Sequence, residues 1–153
     1  MRPLEPWQAE EFAAFVDKER GPGPFSSGTP TKQARDRGRI YGIWLDDTLA
    51  GGALYRDFEV AASVYEIGVW LAEGAPGRGL VTRAVRRLIN WAVGVRGIER
   101  VEWKVVPDNA RSIAVARRLG FARDRVVRSV FPLGGVRHDV EVWSLLAHEW
   151  QGR

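Results

Sequence analysis

At 153 residues with 45% hydrophobic and 27% charged side chains, the chain has the length of one domain and should bury roughly two thirds of the surface its unfolded form exposes. That balance excludes wholesale disorder and fibrous repeats, and no apolar run approaches the roughly 20 residues that cross a bilayer. A net charge of +4, with Lys18, Lys32 and Lys104 the only lysines among 23 cations, favours anionic partners such as nucleotides, coenzymes or RNA. By itself it sets encounter rates rather than function and is no firm evidence of nucleic-acid binding.

The opening MRPLEPWQAEEF lacks the cationic start and unbroken apolar stretch of a secretory signal, so a cytoplasmic chain is expected. Residues 9 to 19 place Phe12, Phe15 and Val16 on one helical face, with Glu10 and Glu11 near the start, where the helix dipole favours anions. The stretch RGPGPFSSGTP, 20 to 30, blocks regular structure through its prolines and glycines and reads as a loop, a place for a lid, followed by at most a short helix through Arg37. From Ile40 to Tyr55 two apolar segments flank Asp46-Asp47, a hairpin signal.

VYEIGVWL, 64 to 71, is dense enough in apolar residues for a strand buried on both faces. The turn EGAPGRG leads into a helix in which Leu80, Ala84, Leu88 and Trp91 or Ala92 recur at helical spacing, with Arg83, Arg86 and Arg87 on the other side. RVEWKVV, 100 to 106, alternates as a strand and stops at Pro107. Asp108 or Asn109 can cap the next helix, and Leu119-Gly120-Phe121 fits a left-handed glycine stop. VVRSVFPLGGVRHDVEVWSLL is two strands joined around Gly134-Gly135. This order predicts a mixed α/β sheet covered by helices, with a parallel pair in the middle and ligands beyond the strands' carboxyl ends.

With no cysteine, thiolate metal sites and cysteine nucleophiles are excluded, and His138 and His148 are too few for a typical zinc site unless carboxylates complete it. No metal is expected. Gly74, Gly77 and Gly79 precede a helix start, so backbone amides there can form a nest for phosphate, with Arg78 and Arg83 in reach; a tight turn without a ligand fits the same residues. A P-loop lysine and a G-x-G-x-x-G fingerprint are both absent. Asn109 can accept from its own helix and donate to a ligand amide, while Ser112 lies one turn on; simple capping and an idle helical serine fit each position taken alone.

YEIGVWL, PGRGLVTRAV and the segment from Pro107 to Phe121 together resemble the GNAT superfamily of acetyl-CoA-dependent N-acetyltransferases. GGVRHDVEVWSLLAHEW looks like the branch that acetylates protein N-termini, including the ribosomal-protein alanine acetyltransferases. The likeness covers about 40 to 150. It implies a single domain, 1 to 153, whose fourth strand, 64 to 71, bulges and splays from the fifth, with the pantetheine arm of acetyl-CoA lying in the gap.

The same resemblance implies that Val69 and Leu71 give main-chain hydrogen bonds to the acetyl carbonyl and pantetheine, and that amides of Gly77, Arg78, Gly79, Leu80, Val81 and Thr82 hold the pyrophosphate. Asn109 binds the pantetheine arm. Gly74 stands where the motif has Arg or Gln, and Ala116 where many relatives have a tyrosine that protonates the leaving thiolate. Ser112 is the remaining hydroxyl and becomes the expected general acid.

Glu66 is the expected base, acting through water; strand alternation sets it with Gly68 and Trp70, opposite Val69 and Leu71, and simple pairing with an arginine is the competing role. Phe25, Trp44, Tyr55, Tyr65 and His138 are candidates for shaping the acceptor slot. The expected reaction moves acetyl to a primary amine, foremost a protein N-terminus. A drug or polyamine acceptor, or a catalytically silent acyl-CoA- or RNA-binding module, are the alternatives, and a homodimer is left open.

Overall fold

The computed structural model describes residues 2–3, 39–45, 48–71 and 79–150. The expected helix at 9–19, the loop at 20–30 with Phe25, the short helix through Arg37, the Asp46-Asp47 turn, and Gly74, Gly77 and Arg78 lie outside these residues.

Seven strands among the described residues form one sheet in the order β1-β2-β3-β4-β5-β7-β6. They are β1 (Arg2–Pro3), β2 (Arg39–Leu45), β3 (Thr48–Glu59), β4 (Val64–Leu71), β5 (Arg100–Val105), β6 (Ala122–Leu133) and β7 (Val136–Leu146). The β4–β5 pair is parallel, while β2–β3, β3–β4, β5–β7 and β6–β7 are antiparallel. Helix α1 (Leu80–Asn90) makes the crossover between β4 and β5, and α2 (Ala110–Arg118) follows β5.

The parallel pair is started by the turn at Ser63, whose φ is 56°. Its carbonyl accepts from Arg100 N at 3.2 Å and its hydroxyl from Glu99 N at 3.1 Å. Alternation then does the sorting. Tyr65, Ile67, Val101, Trp103, Val105 and Leu145 face the helices and are buried, together with Ala84, Val85, Leu88 and Ile89 of α1. The α1 stripe continues into Ala92, which is fully buried, rather than the half-buried Trp91, because five residues from Trp91 close as a wider π turn.

The expected glycine stop of α2 is present. Gly120 sits at φ 91°, and Phe121 N reaches back to Ala116 O at 3.0 Å, the six-to-one bond of a Schellman ending. The β6–β7 turn places Gly134 and Gly135 at φ 62° and 76°, the left-handed pair that a two-residue hairpin needs. One expectation is corrected. The bulge next to the central strands sits on β3, not β4: Tyr55 pairs with Ile67 and Asp57 with Glu66, leaving Arg56 as the extra residue.

Candidate active site

The parallel ladder runs from Val64↔Arg100 to Ile67↔Trp103 and stops, although β4 continues to Leu71 and β5 to Val105. Beyond Trp103 β5 keeps its other neighbour, pairing Lys104 with Val142 and Val105 with Glu141 of β7. The strands part on one side only. A cleft of about 290 Å³ opens there, walled by Ile67, Gly68 and Val69 of β4 and by Trp103, Lys104 and Val105 of β5. Asn109, Ser112, Val130, Phe131 and Val140 close it around the rim.

Asn109 is the helix cap, and Ser112 is placed by it. Pro107 ends β5, and Asn109 Oδ1 accepts from Ser112 N at 3.2 Å, which satisfies one of the amides that a helix start leaves without a partner. Because the carboxamide oxygen is used inward, its NH2 group is the part left to donate to a ligand. Ser112 Oγ accepts from the Trp103 indole Nε1 at 3.0 Å. A hydroxyl that accepts from an indole, which can only donate, still has its own proton to give, and Ser112 borders the cleft.

Glu66 and Lys104 lie on the opposite face of the sheet from Trp103. Lys104 Nζ donates to Glu66 Oε2 at 3.3 Å, so Glu66 is ion-paired to a lysine. Glu66 is not part of the cleft wall, whereas Lys104 is. Further along this face Arg100 holds both Glu102 at 3.2 Å and Asp124 at 2.6 Å. Burial pushes the Asp124 carboxyl up, but hydrogen bonds to Arg100 and Ser144 and the charges of Arg100 and Arg125 outweigh it and hold the group below the usual carboxylate range.

Helix α1 begins at Gly79, φ 70° and ψ 16°. Its first intrahelical bond is Arg83 N to Gly79 O at 2.9 Å. The amides of Leu80, Val81 and Thr82 precede that bond and point along the helix axis toward its start. Thr82 is buried, and its Oγ1 accepts from Arg118 Nη1 at 3.3 Å, so a guanidinium from α2 stands beside the start of α1.

The described residues thus combine a strand pair that parts over a cleft with a capped helix on its rim. Residues 1–122 match the family model described as an acetyltransferase (GNAT) domain. The chain belongs to the GNAT acetyltransferase family. YdaF of Bacillus subtilis, a ribosomal N-acetyltransferase candidate, is 32% identical over 111 residues, covering 72% of this chain and 61% of the relative.

The ribosomal-protein-serine acetyltransferase of Escherichia coli is 26% identical over 137 residues, 90% of this chain and 76% of the relative. The chain thus spans about three fifths of the length of the first of these curated relatives. Among solved structures, a protein named Probable acetyltransferase superposes with a TM-score of 0.84 at 28% identity, covering 97% of this chain and 93% of that one. RimL, a ribosomal alpha-N-protein acetyltransferase in complex with coenzyme A, gives 0.83 at 20% identity over the same shares, a likeness of fold.

Within this GNAT fold several residues expected to shape the acceptor slot do not line the cleft. Tyr55 and Tyr65 are buried in the core against α1. Tyr55 hydroxyl donates to the Leu88 carbonyl, and Tyr65 hydroxyl accepts from Arg96 Nε at 3.0 Å. Aromatic area carries both inward once the hydroxyl finds a partner. Trp44 lies beside Arg83, Arg86 and Arg87 at a second cavity, and the half-buried His138 is not among the cleft residues. On α2, Arg117 lies 5.6 Å over the Trp143 ring and Arg118 reaches Thr82, while both residues stay exposed.

Ala116, at the position of the tyrosine of many relatives, is wholly buried in the core cluster with Trp103, Leu119 and Phe121. Ala116→Tyr should therefore overpack the core rather than supply an acid, costing about 1–3 kcal/mol in chemical denaturation with no gain in turnover. Sequence reasoning missed Trp103, Lys104 and Arg118. For Trp103 a signal existed, since an indole N–H on the buried phase of a strand needs an acceptor nearby. For Lys104 and Arg118 the partners come from other elements, and no local pattern announces them.

Proposed function

We propose that this chain is one catalytic domain, 1 to 153, that moves acetyl from acetyl-CoA to a primary amine in the cytoplasm, and that a protein N-terminal α-amine is the acceptor. The observation that carries the reading is the parting of β4 and β5 after Ile67 and Trp103 over a cleft bordered by Asn109 and Ser112. RimL, with the same fold, binds coenzyme A, and two of the relatives are named for ribosomal acetylation; these support the donor and the acceptor class.

The residues present fit such a donor. An unpaired strand edge suits an extended pantetheine arm, and Val69 and Leu71 would offer main-chain groups to the acetyl carbonyl and the arm. The amides of Gly77, Arg78, Gly79, Leu80, Val81 and Thr82 would hold the pyrophosphate, with the Arg118 guanidinium adding charge where Gly74 adds none. Asn109 would donate its NH2 to the arm.

Acetyl-CoA supplies an activated acyl group. Ser112 holds the proton that the departing thiolate needs, and Trp103 fixes the rotor that delivers it. Glu66 accepts the amine's proton through water. Holding both reactants in line supplies much of the rate, so the base is needed only as far as the amine is protonated. An α-amine of pKa about 7.7–8.0 is roughly a tenth neutral at pH 7, whereas a lysine near 10.4 is neutral in under about one molecule per thousand. A weak base therefore serves an N-terminus and fails a lysine.

Thiol release with acetyl-CoA and a panel of N-terminal peptides, lysine peptides, polyamines and aminoglycosides tests this. The expected result is turnover on free α-amines. Turnover confined to aminoglycosides or polyamines reassigns the acceptor, and no release with any amine leaves a silent binding module.

A further inference from the structure

The cleft has two unlike sides. Toward the helices stand Trp103, Asn109 and Ser112; Lys104 and the apolar residue Val140 belong to the other face. Lys104 is about two fifths exposed and holds Glu66 at 3.3 Å, while Glu66 itself is only 15% exposed at its side chain. Among the described side chains on that face, the carboxylates of Glu102 and Asp124 are both held by Arg100. Among the described side chains, an amine arriving from this side meets carboxylates that already carry cations of the chain itself.

We propose that Lys104 is a specificity-determining residue of the acceptor side: by occupying Glu66 it turns away polycationic amines and leaves the site to amines that arrive neutral. This rests on the acetyltransferase reading above. An ammonium that approaches Glu66 competes with a tethered ammonium, and it must shed water while facing a like charge. A neutral amine meets neither cost, because it has a lone pair to offer and no charge to be repelled. At pH 7 the demand for neutrality alone favours an α-amine over a lysine or polyamine nitrogen by a factor on the order of a few hundred. The chain's own cation thus does the sorting without a shaped pocket for the acceptor's side chain.

The full chain should be assayed at saturating acetyl-CoA with two probes, a lysine-free peptide with a free N-terminus and spermidine. Wild type is expected to prefer the peptide. In Lys104→Met the ratio of kcat/KM for spermidine to that for the peptide should rise at least tenfold, mainly through a lower KM for spermidine, and Lys104→Arg should keep the wild-type ratio. If Lys104→Met loses its cooperative unfolding transition, Lys104→Gln makes the same comparison. An unchanged ratio in the neutral variants, with wild type active on the peptide, overturns the inference and leaves the transferase reading intact. Thiol release with neither probe, nor with any other amine, overturns both.

Discussion

Replacing Ser112 by alanine should lower kcat by about 10²–10⁴-fold, the usual contribution of a positioned proton donor, while coenzyme A affinity stays within a few-fold of wild type. The split follows from the local geometry. The capping bond between Asn109 Oδ1 and Ser112 N uses the backbone of residue 112 and survives the substitution, as do the amides at the start of α1. What disappears is the hydroxyl, and with it the acceptor for the Trp103 indole. Leaving that N–H unsatisfied should cost about 1–3 kcal/mol of stability, visible in denaturation and separable from the loss of turnover. Unchanged kcat would remove Ser112 from the chemistry.

Gly79→Val should give the opposite split, weakening coenzyme A binding tenfold or more with a much smaller effect on kcat at saturating acetyl-CoA. Gly79 sits at φ 70°, and a Cβ there would meet no heavy atom of the described residues within 4 Å, so the conflict these residues show is torsional rather than a clash. A β-branched residue is a genuine outlier in the left-handed region, and leaving it turns the peptide planes that lead into α1. The amides of Leu80, Val81 and Thr82 then lose their convergence. Calorimetric titration with coenzyme A measures this directly, and wild-type affinity in Gly79→Val would show that the helix start does not hold the pyrophosphate.

Much of this architecture is written locally in the chain. Period-2 alternation fixes β4 and β5, the spacing of Ala84, Leu88 and Ala92 fixes α1, and Asn109 and Gly120 mark the two ends of α2 by side-chain capping and by positive φ. The place where β4 and β5 part is of another kind. Val69 and Val105 read as ordinary strand residues, and only the geometry of three strands shows that β5 stays with β7 while leaving β4; resemblance to a family supplied that expectation, and alternation could not.

Charge partners were the least legible. Lys104 finds Glu66 and Arg118 finds Thr82 across more than thirty residues of sequence, and pairing at such range is set by register and helix placement. Tyr55 and Tyr65 were ambiguous for a simpler reason: a tyrosine serves a core and a binding slot equally well until its hydroxyl has a partner.

Thermal unfolding of the chain with and without coenzyme A tests the β4–β5 cleft most directly. A ligand at 100 times its dissociation constant adds about 2.7 kcal/mol to the folded state, which for a chain of this size raises Tm by roughly 5–10 °C. That rise, reduced in Gly79→Val and kept in Ser112→Ala, is what a coenzyme seated between the parted strands requires. An unmoved Tm at millimolar coenzyme A would contradict it.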